Sequence, residues 1–121
     1  MLERIKKFQN KFGYFYKGKP RFLSGELRLL KETQLLEELS EYITAKTLED
    51  KLDALVDMVY VTIGISYFHG FDFDEAFNRV HEANMNKIKG KTSRGFKFDI
   101  KKPKDWKPAD LSDLVNKKGE S

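Results

Sequence analysis

The chain has 121 residues, with 23 lysines and arginines against 19 aspartates and glutamates, and it contains no cysteine. This length fits one domain, and the lack of cysteine excludes a disulfide scaffold, thiol catalysis and a zinc site built on thiolates. Ten phenylalanines and five tyrosines supply a core, which argues against a disordered chain. The formal charge of +4 leaves nucleic acid open as a partner at this stage.

The first 22 residues interleave aromatic and basic side chains. They predict a short helix to about residue 12 and a loop that ends at Pro20. Charges at the start argue against a secretory signal. The longest nearly apolar run, Ala54 to Phe68, has 15 residues and contains Asp57, so it is too short and too polar to cross a bilayer of about 30 Å. We therefore expect a soluble, cytoplasmic domain without membrane contact.

Two long helices are predicted next. The first follows Ser24 as a candidate N-cap and carries leucines at helical spacing to about Thr44. The second follows Thr47, with an acid three residues later as in a capping box, and ends at His69–Gly70. Because this helix is apolar on nearly every face, it belongs in the middle of a bundle.

A third helix is predicted from a capping box at Asp72 to about Ile88. Beyond Gly90, the alternation of residues 96–100 indicates a short strand or extended segment. We predict an all-α fold: one domain over residues 1–121, with a core at about 24–90 and a partly extended C-terminal arm at about 91–115. The bundle would hold three to four helices and assemble as a dimer or tetramer, since one chain cannot cover so apolar a helix.

Acidic residues are concentrated on the two long helices. They are Glu37, Glu38 and Glu41 on the first, and Asp50, Asp53 and Asp57 on the second. Glu38 and Glu41 share one helix face, and the three aspartates share another. If the helices pack antiparallel, these faces can be turned toward each other, and oxygen ligands from two helices suit Mg²⁺ or Mn²⁺.

Asp57 is the most informative single residue, because it is the only charged residue between Ala54 and Phe68. An unpaired carboxylate in an apolar helix is costly, so a cation or a hydrogen-bond network should compensate it. For any one acid, a solvated face or a helix cap is an equally good interpretation. His69 and His81 lack the spacing of a transition-metal site and are expected at a helix end or on the surface.

These segments together resemble the all-α nucleoside triphosphate pyrophosphohydrolases, a superfamily that includes MazG proteins, dimeric dUTPases and phosphoribosyl-ATP pyrophosphohydrolase. The nearest branch is that of the small phosphoribosyl-ATP-pyrophosphohydrolase-like proteins of bacteria and phages. The resemblance covers roughly residues 24–111. It rests on Glu37–Glu41, Asp53–Val61, Gly64, Gly70–Asp72, Val80–Lys87 and Lys102–Leu111.

The resemblance implies Mg²⁺ coordination by an ExxE and an ExxD motif. The ExxE corresponds to Glu38 and Glu41, with Glu37 or Glu38 orienting or deprotonating the attacking water. The second motif departs from the pattern, because its best register puts Asp50 where the family has Glu, with Asp53 closing it. Asp53 is therefore the better ligand, and Asp57 is either a ligand or an acid behind the ligands.

The implied activity is hydrolysis of a nucleoside triphosphate between its α- and β-phosphates. Asn84 and Lys87 would contact phosphate oxygens, and Tyr60 would belong to the base pocket. Two alternatives remain open: a basic nucleic-acid-binding module, which leaves the acidic faces unexplained, and an inactive relative used for assembly.

Overall fold

The computed structural model describes residues 2–116 and confirms the all-α fold. The four predicted helices occur in the predicted order, and the structure adds a short strand at Ile88–Lys89 and a short helix at Ser112–Val115. The elements are α1 (Leu2–Lys11), α2 (Gly25–Thr44), α3 (Leu48–His69), α4 (Phe73–Asn84), β1 (Ile88–Lys89), β2 (Ile100–Lys101) and α5 (Ser112–Val115). Within this part of the chain, no single helix is long and apolar enough to cross a membrane; α3 and α4 pass that test only as a pair bent by 118°.

Two of the three predicted caps form. The Thr47 side chain accepts a hydrogen bond from the Asp50 backbone N–H at 3.1 Å, and Asp72 accepts one from the Glu75 N–H at 3.3 Å. Ser24 occupies the N-cap position of α2, but its side chain makes no capping hydrogen bond. Local spacing thus predicts where α3 and α4 begin, because caps act within one helical turn.

Helix α3 is the central element and packs against α1, α2 and α4. Ile5 of α1 meets Ile63 and Tyr67 of α3 in a small core, and all three side chains are buried. Phe15, Tyr60 and Phe73 pack around it as half-buried aromatics. Helix α1 therefore belongs to the core, which begins well before residue 24.

The loop between α1 and α2 is held against the C-terminus of α3. Arg21 donates from its side chain to the Phe68 carbonyl at 3.0 Å and from its backbone to the His69 carbonyl at 2.9 Å. The His69 ring bonds back to the Arg21 carbonyl at 2.7 Å. These contacts use carbonyls that the helix end leaves unpaired, so the loop fixes how α2 enters the bundle.

We predict that Gly70→Ala destabilises the protein by about 1–3 kcal/mol, because Gly70 has φ +80° and a methyl group would meet Tyr16 Cε2 at 3.0 Å and the Gly18 carbonyl at 3.1 Å. Urea unfolding measures the loss. Gly13→Ala is the matched control, since Gly13 has φ +72° with nothing within 4 Å of an added methyl. An equal loss for both variants would contradict the steric part of this prediction.

Helix α4 ends at Asn84, so the predicted extension to Ile88 is wrong. The chain turns there: the Lys87 N–H donates to the Asn84 carbonyl, and Ile88 pairs with Lys101 in an antiparallel two-stranded sheet. The Trp106 indole N–H then donates to the Ala83 carbonyl at 2.7 Å, satisfying an acceptor at the helix end. This partner is distant in sequence, which is why periodicity alone overextended the helix.

The C-terminal arm is partly extended, as predicted, although Ile100 is the only residue of the expected segment 96–100 that lies in a strand, β2. Arg94 contacts Asp99 at 2.6 Å, and this hydrogen-bonded partner holds the pKa of the Asp99 carboxyl well below its usual range. Arg79 of α4 binds Asp113 of α5 at 2.6 Å, so a second ion pair ties the end of the arm to the bundle.

Candidate metal centre

Helices α2 and α3 form an antiparallel pair joined by three residues. Near the connection, the Lys51 ammonium donates to the carbonyls of Tyr42 and Ile43 at the end of α2. At the far end, the Lys31 ammonium lies 4.6 Å from the centre of the Phe68 ring. The predicted packing is thus present, and it turns one face of each helix toward the other.

Three carboxylates meet between these helices. Glu38 and Glu41 of α2 and Asp57 of α3 each offer an oxygen, and these oxygens lie within 4.8 Å of one another. Glu38 and Asp57 are half-buried, whereas Glu41 is exposed. We call Glu38, Glu41 and Asp57 the carboxylate group; its geometry lets three oxygens from two helices face a single point.

The electrostatics of the carboxylate group are unfavourable without a cation. Burial, followed by the neighbouring carboxylates of Glu41 and Asp57, raises the pKa of Glu38 above its ordinary value. Burial, then Asp53 and Glu41, raises the pKa of Asp57. The Oε2 atom of Glu38 is also buried without a hydrogen-bond partner. A group of like charges with an unsatisfied acceptor is the setting that a bound cation relieves.

The residues present fit a divalent cation with hard oxygen ligands. Mg²⁺ is bound through one or two carboxylates together with water and substrate phosphates, and the carboxylate group leaves an open side at exposed Glu41. Mn²⁺ accepts the same ligands. The described residues therefore could hold a metal ion, and Glu38, Glu41 and Asp57 are the ones in position to do so.

The remaining predicted acids lie around this group. Glu37 is exposed and is the last of the neighbours that raise the pKa of Glu38. The charge of Asp53 contributes to the raised pKa of Asp57, which lies one turn further along α3. Asp50 sits in the capped first turn of the helix, where its backbone N–H bonds to Thr47. The group defined by the 4.8 Å separation thus contains three of the five predicted ligands, Glu38, Glu41 and Asp57, and it leaves out Asp50 and Asp53.

The predicted substrate-binding residues are spread over three places. Tyr60 lines a cavity between α1, α2 and α3. Asn84 closes α4, and the Lys87 ammonium lies 5.2 Å from the centre of the Trp106 ring. The arm therefore positions Lys87, and contact of Asn84 or Lys87 with phosphate stays a prediction.

Sequence reasoning missed three polar residues, Gln9, Lys31 and Gln34, that line the same cavity as Tyr60. Gln9 lies on α1, and its amide reaches Gly64, which is 55 residues away. A single glutamine on an amphipathic helix carries no local signal of such a contact. Lys31 and Gln34 share a helix face with Glu38 by their spacing, and this was the only signal in the sequence that could have placed them near the acids.

A family model described as phosphoribosyl-ATP pyrophosphohydrolase matches residues 5–84, which covers more than half of the chain and includes the carboxylate group. The chain belongs to this phosphoribosyl-ATP pyrophosphohydrolase family. A search of curated proteins found no match.

Membership of the phosphoribosyl-ATP pyrophosphohydrolase family indicates a pyrophosphohydrolase that acts on nucleotide-like substrates. It confirms the superfamily assigned from the sequence motifs. The match begins at residue 5, so α1 lies within the matched region, in agreement with the buried position of Ile5.

Proposed function

We propose that this protein is a Mg²⁺-dependent nucleoside triphosphate pyrophosphohydrolase, which converts an NTP or dNTP to a monophosphate and pyrophosphate. The carboxylate group is the observation that carries the proposal. One carboxylate oxygen from each of its three acids lies within 4.8 Å of the others, the pKa values of Glu38 and Asp57 are raised, and Glu38 carries a buried oxygen without a hydrogen-bond partner. A structural role alone would not favour so many like charges at one place.

Glu38, Glu41 and Asp57 would hold the metal, with Asp53 one turn away as a further oxygen donor. When bound, Mg²⁺ supplies positive charge that neutralises phosphate oxygens during the displacement. Asp50 is outside this proposal, because its carboxylate is not among the oxygens that lie within 4.8 Å of one another. Mn²⁺ should substitute, since it prefers the same oxygen ligands.

An acid of α2 would also accept the proton of the attacking water. A water oxygen attacks the α-phosphorus, the bond to the oxygen bridging to the β-phosphate breaks, and pyrophosphate leaves. The water proton passes to a carboxylate, for which Glu38 and Glu37 are the candidates. Glu37 is not among the three acids placed to hold the metal, which leaves its carboxylate free to accept this proton.

Positive charge at the ends of the chain would attract the polyanionic substrate. Asn84, the last residue of α4, and Lys87, just before β1, are the proposed phosphate contacts. The Lys87 ammonium faces the electron-rich ring of Trp106 and carries no carboxylate partner among the ion pairs of the described residues. It is thus available to reach a phosphate oxygen.

We further propose that the protein works as a homodimer. On α2, Leu29, Leu36 and Ile43 repeat every seven residues on the face opposite the carboxylate group, and they are 60%, 67% and 65% exposed. Apolar residues at heptad spacing are typical of a helix–helix seam. A second copy offers the same stripe, so a two-fold axis would cover both.

The product of hydrolysis tests this function. With a panel of NTPs and dNTPs and Mg²⁺, we expect at least one substrate to yield pyrophosphate and its monophosphate, identified by chromatography and mass spectrometry. Chelation with EDTA should abolish turnover, and Mg²⁺ or Mn²⁺ should restore it. Orthophosphate as the product, or no turnover of any nucleotide, would contradict the proposal.

A further inference from the structure

A small cavity lies on the same α2–α3 interface as the carboxylate group. Its volume is about 110 Å³, and residues of α1, α2 and α3 line it. Its polar lining comes from Gln9, Lys31 and Gln34, and the rest of the wall is mainly apolar and aromatic. Such a wall with a few placed polar groups is typical of a small-molecule site.

The amide of Gln9 has a fixed orientation. Its Nε2 donates to the Tyr14 carbonyl at 3.4 Å and to the Gly64 carbonyl at 3.3 Å. Because both neighbours are acceptors, only the nitrogen can face them, and Oε1 must point elsewhere. Gln9 is only 5% exposed, and its Oε1 is buried without a hydrogen-bond partner. The cavity lining therefore contains a buried acceptor that lacks a donor.

Helix α2 supplies donors on the opposite side. The Lys31 ammonium donates to Gln34 Oε1 at 3.1 Å, which leaves the Gln34 Nε2 protons directed to other partners. Lys31 retains further protons, and its burial lowers its pKa below the ordinary value. The polar lining thus offers one acceptor, from Gln9, and donors from Lys31 and Gln34.

We propose that this cavity binds the base of the substrate and selects a single pyrimidine ring with an N–H between two keto oxygens, as in uracil and thymine. The N–H would donate to Gln9 Oε1, and the keto oxygens would accept from Lys31 and Gln34. In cytosine, the amino group would face a donor on α2, and the unprotonated ring nitrogen would face the acceptor Gln9 Oε1, so neither pair could form a hydrogen bond. This inference rests on the proposed function, because it assigns the base of that substrate.

The size of the cavity favours one ring. A cavity of about 150 Å³ in another protein holds a benzene molecule, so a space of about 110 Å³ is closer in size to one six-membered ring than to a fused purine. The position also fits: Gln34 and Lys31 precede Glu38 by about 6 and 10 Å along α2. A base in the cavity could therefore extend its sugar and phosphates toward the carboxylate group.

The larger groove of the molecule is a poorer candidate for the base. It lies between α1, α3 and α4, and Phe73 and Phe77 contribute to its apolar wall. Its charged lining residues are Glu3 and Asp74, which would repel a phosphorylated ligand. The smaller cavity has the only cation that lines either space.

Binding of monophosphates tests the base preference without turnover. With Mg²⁺ present, we expect dUMP and dTMP to bind at least about tenfold more tightly than dCMP, dAMP and dGMP, as measured by calorimetry. The comparison of dUMP with dCMP isolates the contribution of the hydrogen-bonding edge of the base to affinity, since the two nucleotides have the same sugar, phosphate and ring size. Equal affinities, or tighter binding of a purine nucleotide, would overturn the proposal.

Substitution of Lys31 tests whether this cavity produces the preference for dUMP over dCMP. In Lys31→Met, the ratio of dUMP to dCMP affinity should fall to less than about threefold, because a donor is lost. Lys6→Met is the matched control: its ammonium also lies over a ring, 5.6 Å from the centre of Tyr67, but Lys6 does not line the cavity. An unchanged ratio in Lys31→Met would overturn the assignment.

Gly64→Ala keeps the test decisive if Lys31→Met fails to fold. An added methyl would contact the Gln9 amide at ordinary distances of 3.6–3.7 Å, and alanine favours a helix, so the fold should persist. The methyl narrows the cavity, and we expect dUMP affinity to fall about tenfold with no loss of thermal stability. Undiminished affinity would contradict a base in this cavity.

The two proposals fail in different ways. Production of pyrophosphate from every nucleotide at similar kcat/KM would overturn the base preference and leave the proposed function standing. Selective binding of dUMP without turnover of any triphosphate would overturn the proposed function and leave the cavity assignment standing.

Discussion

Asp57→Asn is expected to reduce kcat/KM for the best nucleotide by about a hundredfold or more, the scale of losing one group that stabilises charge in the transition state. At the same time, the metal-free variant should melt at a higher temperature than the wild-type protein. The reason is that the folded protein raises the pKa of Asp57, chiefly by burial. Ionisation of Asp57 above its unfolded pKa therefore opposes folding, and an uncharged amide removes that opposition.

The response to Mg²⁺ completes this prediction. Mg²⁺ at a hundred times its Kd should stabilise the wild-type protein by about 2.7 kcal/mol, whereas Asp57→Asn should show little stabilisation. Differential scanning fluorimetry with and without Mg²⁺ measures both effects. Glu49→Gln, the same loss of charge at an exposed site in the first turn of α3, is the control and should behave as wild type.

Asp50→Asn decides between the two registers of the second motif. The family resemblance puts Asp50 at a ligand position, but the structure brings Asp57 to Glu38 and Glu41. We therefore expect Asp50→Asn to retain most activity and the full thermal response to Mg²⁺. A variant as impaired as Asp57→Asn would show that Asp50 binds the metal.

Leu36→Glu is expected to weaken dimer formation by about a thousandfold. The two-fold axis places the change in both copies, and each buried leucine contributes about 2 kcal/mol. Because Leu36 is 67% exposed within one chain, the folded subunit should tolerate the charge. Light scattering at micromolar concentration should give a dimer for the wild-type protein and a monomer for the variant.

Asn78→Glu on α4 is the control for this experiment. It introduces the same side chain at an exposed position that is already polar, so the dimer should persist. Circular dichroism should show equal helix content in both variants. A wild-type monomer, or a Leu36→Glu dimer as tight as that of the wild type, would refute the proposed seam.

The helices could be predicted because their signals are local. Thr47 and Asp72 cap within one turn, Gly70 adopts a positive φ at a helix end, and the apolar character of α3 specifies a central position. The end of α4 could not be predicted in this way. Trp106 and the pairing of Ile88 with Lys101 compete with helix extension, and both partners lie far along the chain.

The sequence by itself determined the fold class, the family and the presence of acids on one face of each of two successive helices, since helical spacing specifies which residues share a face. Only the tertiary structure decided which acids meet, because the separation of Glu38 and Asp57 depends on how α2 and α3 are aligned. It also created the cavity, whose buried acceptor on Gln9 depends on a contact with Gly64, 55 residues away. Spacing along one helix carries no information about such contacts between helices.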